Sequence, residues 1–403
     1  MSEKDNIKQF KKSKDVDSEF NKKRANHQMN KLMWIIAGTV AVFVLVALVV
    51  LFVRVFVRNR KYNAINVLES TDFFISTGSE VQRFGDYFVV YNCDGIKCVN
   101  CKGDQVWNEA FMMQKPLVDI GKGVVAVADY NGSTIYLMDN KSVLGKIDTG
   151  MPVRKFKASP AGYVMAVLDN TNNTPIYVYD STGKEMVYFN TTMKMYGYPM
   201  EIAISDNGIL GAVSYINVDK GSFYTNLGFY NFGEVGMNYQ DNLMSSYTYT
   251  NALAPEVRFS GNDKAVAVVD NKLAFFSGDQ MPSSSAEIII DEKIQSVFSD
   301  ENYVAVVFLN DNSEHKYKAD IYNYGGDKKD TIFFDVDYDE IFFDNDRVIV
   351  YNNEEIYIHN IGGSDKFLGN FDETILTILP TGSSKRFYIV TPDRIETVEL
   401  VRE

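Results

Sequence analysis

The chain has 403 residues and a formal charge of −13. Residues 1–61 carry thirteen Lys and Arg against five Asp and Glu, a net of +8, which leaves 27 basic and 48 acidic residues, a net of −21, for residues 62–403. The basic part suits attraction to anionic lipid headgroups, and so acidic a remainder excludes nucleic acid as its partner.

Residues 1–31 are polar, with almost no apolar periodicity, and read as a disordered basic tail. Residues 32–53 then run without a charge. As a helix they would be roughly 33 Å long, enough for a hydrocarbon core of about 30 Å. A cleavable signal peptide does not fit: the lead is thirty-one residues, and the stretch runs into Arg54 without a small-residue cleavage pattern. The transmembrane helix is therefore expected over 32–57, followed by a linker over 58–66. Lys4, Lys8, Lys11, Lys12 and Lys14 tip the basic balance of the flanks, so the N-terminus is expected in the cytoplasm and residues 67–403 outside it. Abundant Tyr, Asn, Ser and Thr with only three Cys suit an extracytoplasmic β-domain.

From there on, period-2 patterning predicts strands, and no run has helical spacing. A unit recurs: an apolar strand, a polar turn, a second strand, then Asp or Asn, often with Gly three residues later. Tyr163 to Leu168, Ile176, Asp180 and Gly183 make one instance. The anchors fall at Asn100, Asp139, Asp180, Asn231, Ser277, Asn323, Asn360 and Glu399, in steps of 37 to 51 residues. That is the length of a four-stranded propeller blade, with the Asp/Asn-x-x-Gly piece as the turn into the outermost strand. The predicted fold is all-β, a β-propeller of eight blades behind one N-terminal transmembrane helix, with seven blades the runner-up. The last unit lacks a fourth strand, and residues 66–76, with Phe73, Phe74 and Ile75, have no blade of their own. Pairing the two would close the ring and remove open sheet edges.

The first unit carries Asp94-Gly95-Ile96 in a hairpin and Gly103-Asp104-Gln105-Val106-Trp107 in a turn. With the basic tail, the single span and the repeats, the chain resembles the domain of unknown function 5711 family, single-pass membrane-anchored β-propeller proteins of Gram-positive bacteria. The resemblance implies the architecture over essentially the whole chain and brings no reaction or catalytic residue. A more distant likeness is to quinoprotein-type repeats, but Trp107 occurs in one unit only, so a quinone ring site is not supported.

Several motifs invite a site. Cys93, Cys98 and Cys101 have the spacing C-x4-C-x2-C, but only His27, His315 and His359 exist to complete a zinc site, so they read as strand positions. A Cys93 to Cys98 disulfide stays open. Gly121-Lys122-Gly123-Val124-Val125-Ala126 has the letters of a dinucleotide fingerprint and Ser181-Thr182-Gly183-Lys184 those of a serine acyl enzyme, yet neither opens a helix. Asp335, Asp337 and Asp339 alternate as calcium ligands could, without the Gly that an EF-hand requires. No other cofactor is expected.

The long fourth unit holds Tyr224, Tyr230, Tyr239, Tyr247 and Tyr249 among Asn, Ser and Gly, the composition of a recognition surface. The expected function is a cell-surface interaction or scaffolding module whose loops bind a protein or glycan, with the bilayer as a second partner. The alternative is an extracytoplasmic glycan hydrolase or lyase with carboxylates at the propeller axis.

Overall fold

In a computed structural model, Lys22, Arg24, Met29, Lys31, Met33–Val53 and residues 59–191, 196–219, 221–310 and 314–402 are described. The predicted tail therefore falls largely outside the described residues, as do residues 54–57 of the expected span. Two units result, residues 1–60 and 61–403. In the first, Met33–Val53 is a 21-residue helix, long and apolar enough to cross a membrane. Its side chains are exposed along its whole length. The Thr39 hydroxyl donates to the Ile36 carbonyl at 2.8 Å, which satisfies it within the helix.

The second unit is a ring of eight four-stranded antiparallel blades. Blades 1 to 7 span residues 80–110, 116–148, 153–191, 198–250, 256–289, 294–334 and 340–370, numbered in chain order. Blade 8 joins residues 377–401 to Ala64–Asp72. Within a blade the first strand is nearest the axis. The lower face of the ring carries the turns from first to second and from third to fourth strand; the upper face carries the remaining hairpins and the crossings between blades.

Second strands such as Val124–Asp129 and Val164–Leu168 are apolar almost without interruption. Neighbouring blades cover both of their sides, so alternation has nothing to separate. The core is correspondingly divided. Eight buried clusters each join two adjacent blades, from Val89 and Val127 between blades 1 and 2 round to Phe88 and Leu379 between blades 8 and 1. Eight junctions for eight blades leave no gap in the ring.

The recurring Asp or Asn has a local cause. At the end of the third strand its side chain accepts backbone N–H groups of the following turn: Asp139 from Lys141 and Ser142, each at 2.7 Å, and Asn323 from Gly325 and Asp327 at 3.0 and 2.9 Å. The glycines at Gly103, Gly183 and Gly326 have φ of 84°, 84° and 83°, which side chains rarely adopt. A Cβ on Gly326 would also lie 2.8 Å from the Ala286 Cβ on blade 5. The Gly103 to Trp107 motif likewise serves packing, since the Trp107 indole N–H donates to the Asp139 carbonyl of blade 2 at 2.7 Å.

Ring closure occurs as expected, in a longer form. Ala64–Asp72 pairs with Arg394–Val401 from Ala64 opposite Val401 to Asp72 opposite Arg394, with a bulge between Val67 and Glu69. The strand thus begins inside the stretch 58–66 read as linker. Phe73 and Ile75 follow it and bond the carbonyls of Asp393 and Pro392, each at 2.9 Å. Before the strand, the Tyr62 N–H bonds the Lys366 carbonyl of blade 7 at 2.8 Å. The segment therefore ties blades 7, 8 and 1 together.

Where blade 7 meets blade 8 it carries a buried ion pair, Arg347 with Asp344, whose side chains are 8% and 6% exposed. Arg347 donates further to the Ser384 carbonyl of blade 8 at 2.8 Å. Burial pushes the Asp344 carboxyl up and the Arg347 guanidinium down, each opposed by the other's charge. Arg347→Met should cost about 3–5 kcal/mol at neutral pH, because a buried carboxylate loses its partner. The Asp344 carboxyl then rises further above its unfolded value of about 4, so the folded variant keeps a proton that the unfolded chain has released. The deficit is smallest below that value and grows as pH rises through the folded one. Urea unfolding of parent and variant at low and neutral pH measures this; a pH-independent deficit would contradict it.

Candidate functional site

The first strands line an axial cavity of about 870 Å³, whose wall includes Arg83, Arg258, Phe298, Asp300, Asp339, Glu340, Phe342 and Leu376. Alternation along each first strand turns every second side chain toward the axis, where charges from different blades meet. Lys157 of blade 3 pairs with Asp119 of blade 2 at 2.8 Å, and Lys155 with Glu201 of blade 4 at 2.6 Å. Arg83 of blade 1 pairs with Glu340 of blade 7 while its guanidinium lies 3.4 Å over the Phe342 ring. Glu340 also accepts the Tyr351 hydroxyl. At the lower mouth Lys122 of blade 2 reaches Glu301 of blade 6 at 2.8 Å, across the ring. Beside it the lower turns of blades 3, 4 and 5 are laced together through Asp206, whose N–H bonds the Gly261 carbonyl at 3.0 Å and whose carbonyl takes the Ala161 N–H at 3.1 Å.

Glycoside cleavage needs one protonated and one ionised carboxyl free to flank a sugar bond. Burial does raise the Asp300 carboxyl, but Oδ1 accepts the N–H groups of Asn302 and Tyr303 at 2.8 and 2.7 Å. Glu340 is taken by Arg83 and Tyr351. Glu340 thus ties two blades, and Asp300 closes its own turn.

Of the three aspartates read as calcium ligands, Asp335 bonds His315 Nδ1 at 2.9 Å and the Lys316 N–H at 2.8 Å. Asp337 pairs with Lys316 and takes the Tyr317 hydroxyl at 2.9 Å. Asp339 lines the axial cavity. The three lie in the crossing from blade 6 to blade 7, outside any strand, and no group of three His, Cys, Asp or Glu suited to a metal occurs among the described residues. Cys93, Cys98 and Cys101 are free thiols. Burial pushes Cys98 up to about 12 and Cys101 up to about 11, which makes both unreactive.

The five tyrosines of the fourth unit do not form one surface. Tyr230 is 1% exposed, stacked on Phe189 of blade 3 at 4.5 Å and hydroxyl to hydroxyl with Tyr215 at 2.8 Å. Tyr249 is buried, and Tyr247 lies 4.9 Å from Phe276 of blade 5 while its hydroxyl accepts the Ser284 N–H at 3.1 Å. The fourth strand Leu243–Thr250 turns this side toward blade 5, so residues two apart are covered together. Tyr224 is half-buried, and Tyr239 is exposed. The extra length of the unit lies elsewhere than its rings suggested: in two ten-residue strands, Leu210–Asp219 and Ser222–Asn231, and in residues 232–242, which form two 3-10 turns. Val235 and Met237, which the aromatic pattern passed over, stand exposed there with Tyr239. Their signal in the sequence is the loss of strand alternation after Asn231.

A family of unknown function, DUF5711, matches residues 58–400. The chain belongs to this family. No curated relative matches it. Similar solved structures include Sqt1 of Saccharomyces cerevisiae, 11% identical with a TM-score of 0.50 over 85% of this chain and 100% of that one. BamB from Moraxella catarrhalis is 10% identical, with a TM-score of 0.48 over 83% of this chain and 100% of its own. AztD from Citrobacter koseri is 10% identical, with a TM-score of 0.46 over 73% and 90%. At such identities the likeness concerns the fold alone.

Proposed function

We propose that this DUF5711 protein is a membrane-anchored interaction module, its ring displayed outside the cell on a single span with the basic lead inside. The observation that carries the reading is the contrast within the ring. Glu340 and Asp300 at the axis are held by structural partners, while the largest departure from the blade template, residues 232–242, turns apolar side chains to solvent. Scaffolds carry recognition on such loops. The apolar helix and the +8 of residues 1–61 support the anchor and its orientation. A glycan-cleaving centre at the axis has the cavity of about 870 Å³ in its favour, and the engagement of Glu340 and Asp300 against it.

Protease added to intact, wall-stripped cells should remove the ring and leave a membrane-bound stub. A ring that survives until lysis has the opposite orientation. Photo-crosslinkers placed round both faces of the full-length protein in cells should then trap a protein partner; a ring that traps none, and instead cleaves glycans in vitro, is an enzyme.

A further inference from the structure

Residues 232–242 differ from the other turns of the lower face in being rigidly built and apolar outward. The Gly236 and Tyr239 N–H groups bond the Gly233 and Gly236 carbonyls at 3.1 and 2.9 Å. Asp241 and Asn242 both take positive φ, 54° and 60°, a conformation uncommon without glycine. Their side chains hold them there: Asp241 accepts the Tyr196 hydroxyl at 2.6 Å, and the Asn242 amide donates to the Asn231 carbonyl at 3.1 Å. A Cβ on Gly236 would lie 1.7 Å from the Asn231 oxygen, so the turn admits only glycine. The side chains of Asp241 and Asn242 are thus bound inward, while Val235, Met237 and Tyr239 remain 40%, 72% and 45% exposed beside the exposed Glu234, Asn238 and Gln240.

The adjoining turn of blade 5 extends this patch. The Asn231 amide donates to the Gln280 carbonyl and side-chain oxygen at 3.1 and 2.9 Å, which sets Met281, 43% exposed, beside it. Residues 232–242, 261–263 and 278–282 together contain Glu234, Asp241, Asp263 and Asp279 and no Lys or Arg. Glu234, Asp263 and Asp279 are exposed and make no ion pair among the described residues. An anionic bilayer is repelled by this rim, and a second copy of a ring with a net charge of −21 brings the same sign.

We infer that this patch docks a protein segment carrying Lys or Arg beside apolar side chains. The inference rests on the interaction-module reading and adds the place and the partner's chemistry. A preformed loop loses little freedom on binding, adaptable Met side chains fit an apolar stripe, and the acidic rim attracts and orients the cations around it.

The test uses the full-length protein in phosphatidylcholine nanodiscs and a fluorescent amphipathic helical peptide of Leu and Lys, with a Leu and Glu twin. Binding of the Lys peptide is expected to weaken about tenfold or more in Met237→Asp, as for an interface anchor. It should weaken with added salt in the parent. Met112→Asp, at a residue 94% exposed on the upper face, should bind as the parent does, and both variants should melt with it. Equal loss in both variants, equal binding of the Glu twin or no binding overturns the inference, as does a patch that instead takes phosphatidylglycerol vesicles or pairs two rings. A cross-linked partner elsewhere on the ring would overturn this surface alone and leave the interaction-module reading standing.

Discussion

Replacing residues 62–76 with a Gly/Ser segment of equal length is expected to unfold the whole ring rather than fray one blade. Ala64–Asp72 is the fourth strand of blade 8, and without it Arg394–Val401 becomes an open edge. The loss also reaches two junctions. Tyr62 and Ile65 pack on the cluster between blades 7 and 8, and Phe73 and Ile75 on the one between blades 8 and 1, where Phe73 meets Phe88 edge-on at 5.5 Å. Removing a buried side chain such as Ile75 costs about 2–5 kcal/mol, against a total stability of about 5–15 kcal/mol for a domain. The half-buried Tyr62, Ile65 and Phe73 and the lost strand pairing add to that cost. Each blade is stabilised by its neighbours, so an opened ring has two poorly supported ends. Urea unfolding followed by the fluorescence of Trp107, on blade 1, should show the transition collapse to low denaturant. A variant that unfolds at the parent's midpoint would mean that the closing strand contributes nothing.

Tyr230→Ala and Tyr239→Ala are expected to differ by most of the stability that one residue can carry. The first removes a buried ring stacked between blades 3 and 4 and leaves the Tyr215 hydroxyl without its 2.8 Å partner. A cavity and an unsatisfied buried group together should cost about 4–6 kcal/mol. The second shortens a side chain exposed at the rim of the 232–242 loop and should stay within about 0.5 kcal/mol. Any partner bound there should be lost in the second variant while the fold is kept. Similar melting of the two variants would contradict the burial of Tyr230.

Much of this architecture was legible because its causes are local. The anchors at Asn100, Asp139, Asp180 and Asn323 recur because an Asx side chain closes the turn after the third strand, and at three of them a glycine three residues on, Gly103, Gly183 or Gly326, meets the positive φ of that turn. Both requirements act within a few residues. The missing fourth strand of the last unit could likewise be counted, which made closure by a segment near residue 70 readable. Its start was misplaced because 64–66 carry no pattern of their own until Val401 and Leu400 pair with them.

The site was legible only in outline. Tyr230, Tyr239, Tyr247 and Tyr249 share one composition, and period 2 sorts them onto the sides of a strand without telling which side the next blade covers. That is decided by the packing of Phe189 on Tyr230 and of Phe276 on Tyr247, contacts that cross from blade to blade. The partner of Glu340 was hidden in the same way, since Arg83 lies on another blade, while His315 and Lys316 meet Asp335 and Asp337 through the pairing of the last two strands of blade 6. By itself the sequence determined the apolar helix, the blade and its repetition, which depend on periodicity and turn chemistry over a few residues. The tertiary structure alone decided the core at eight junctions, the ties across the axis and the apolar exposure of the 232–242 loop, because each depends on what a neighbouring blade covers.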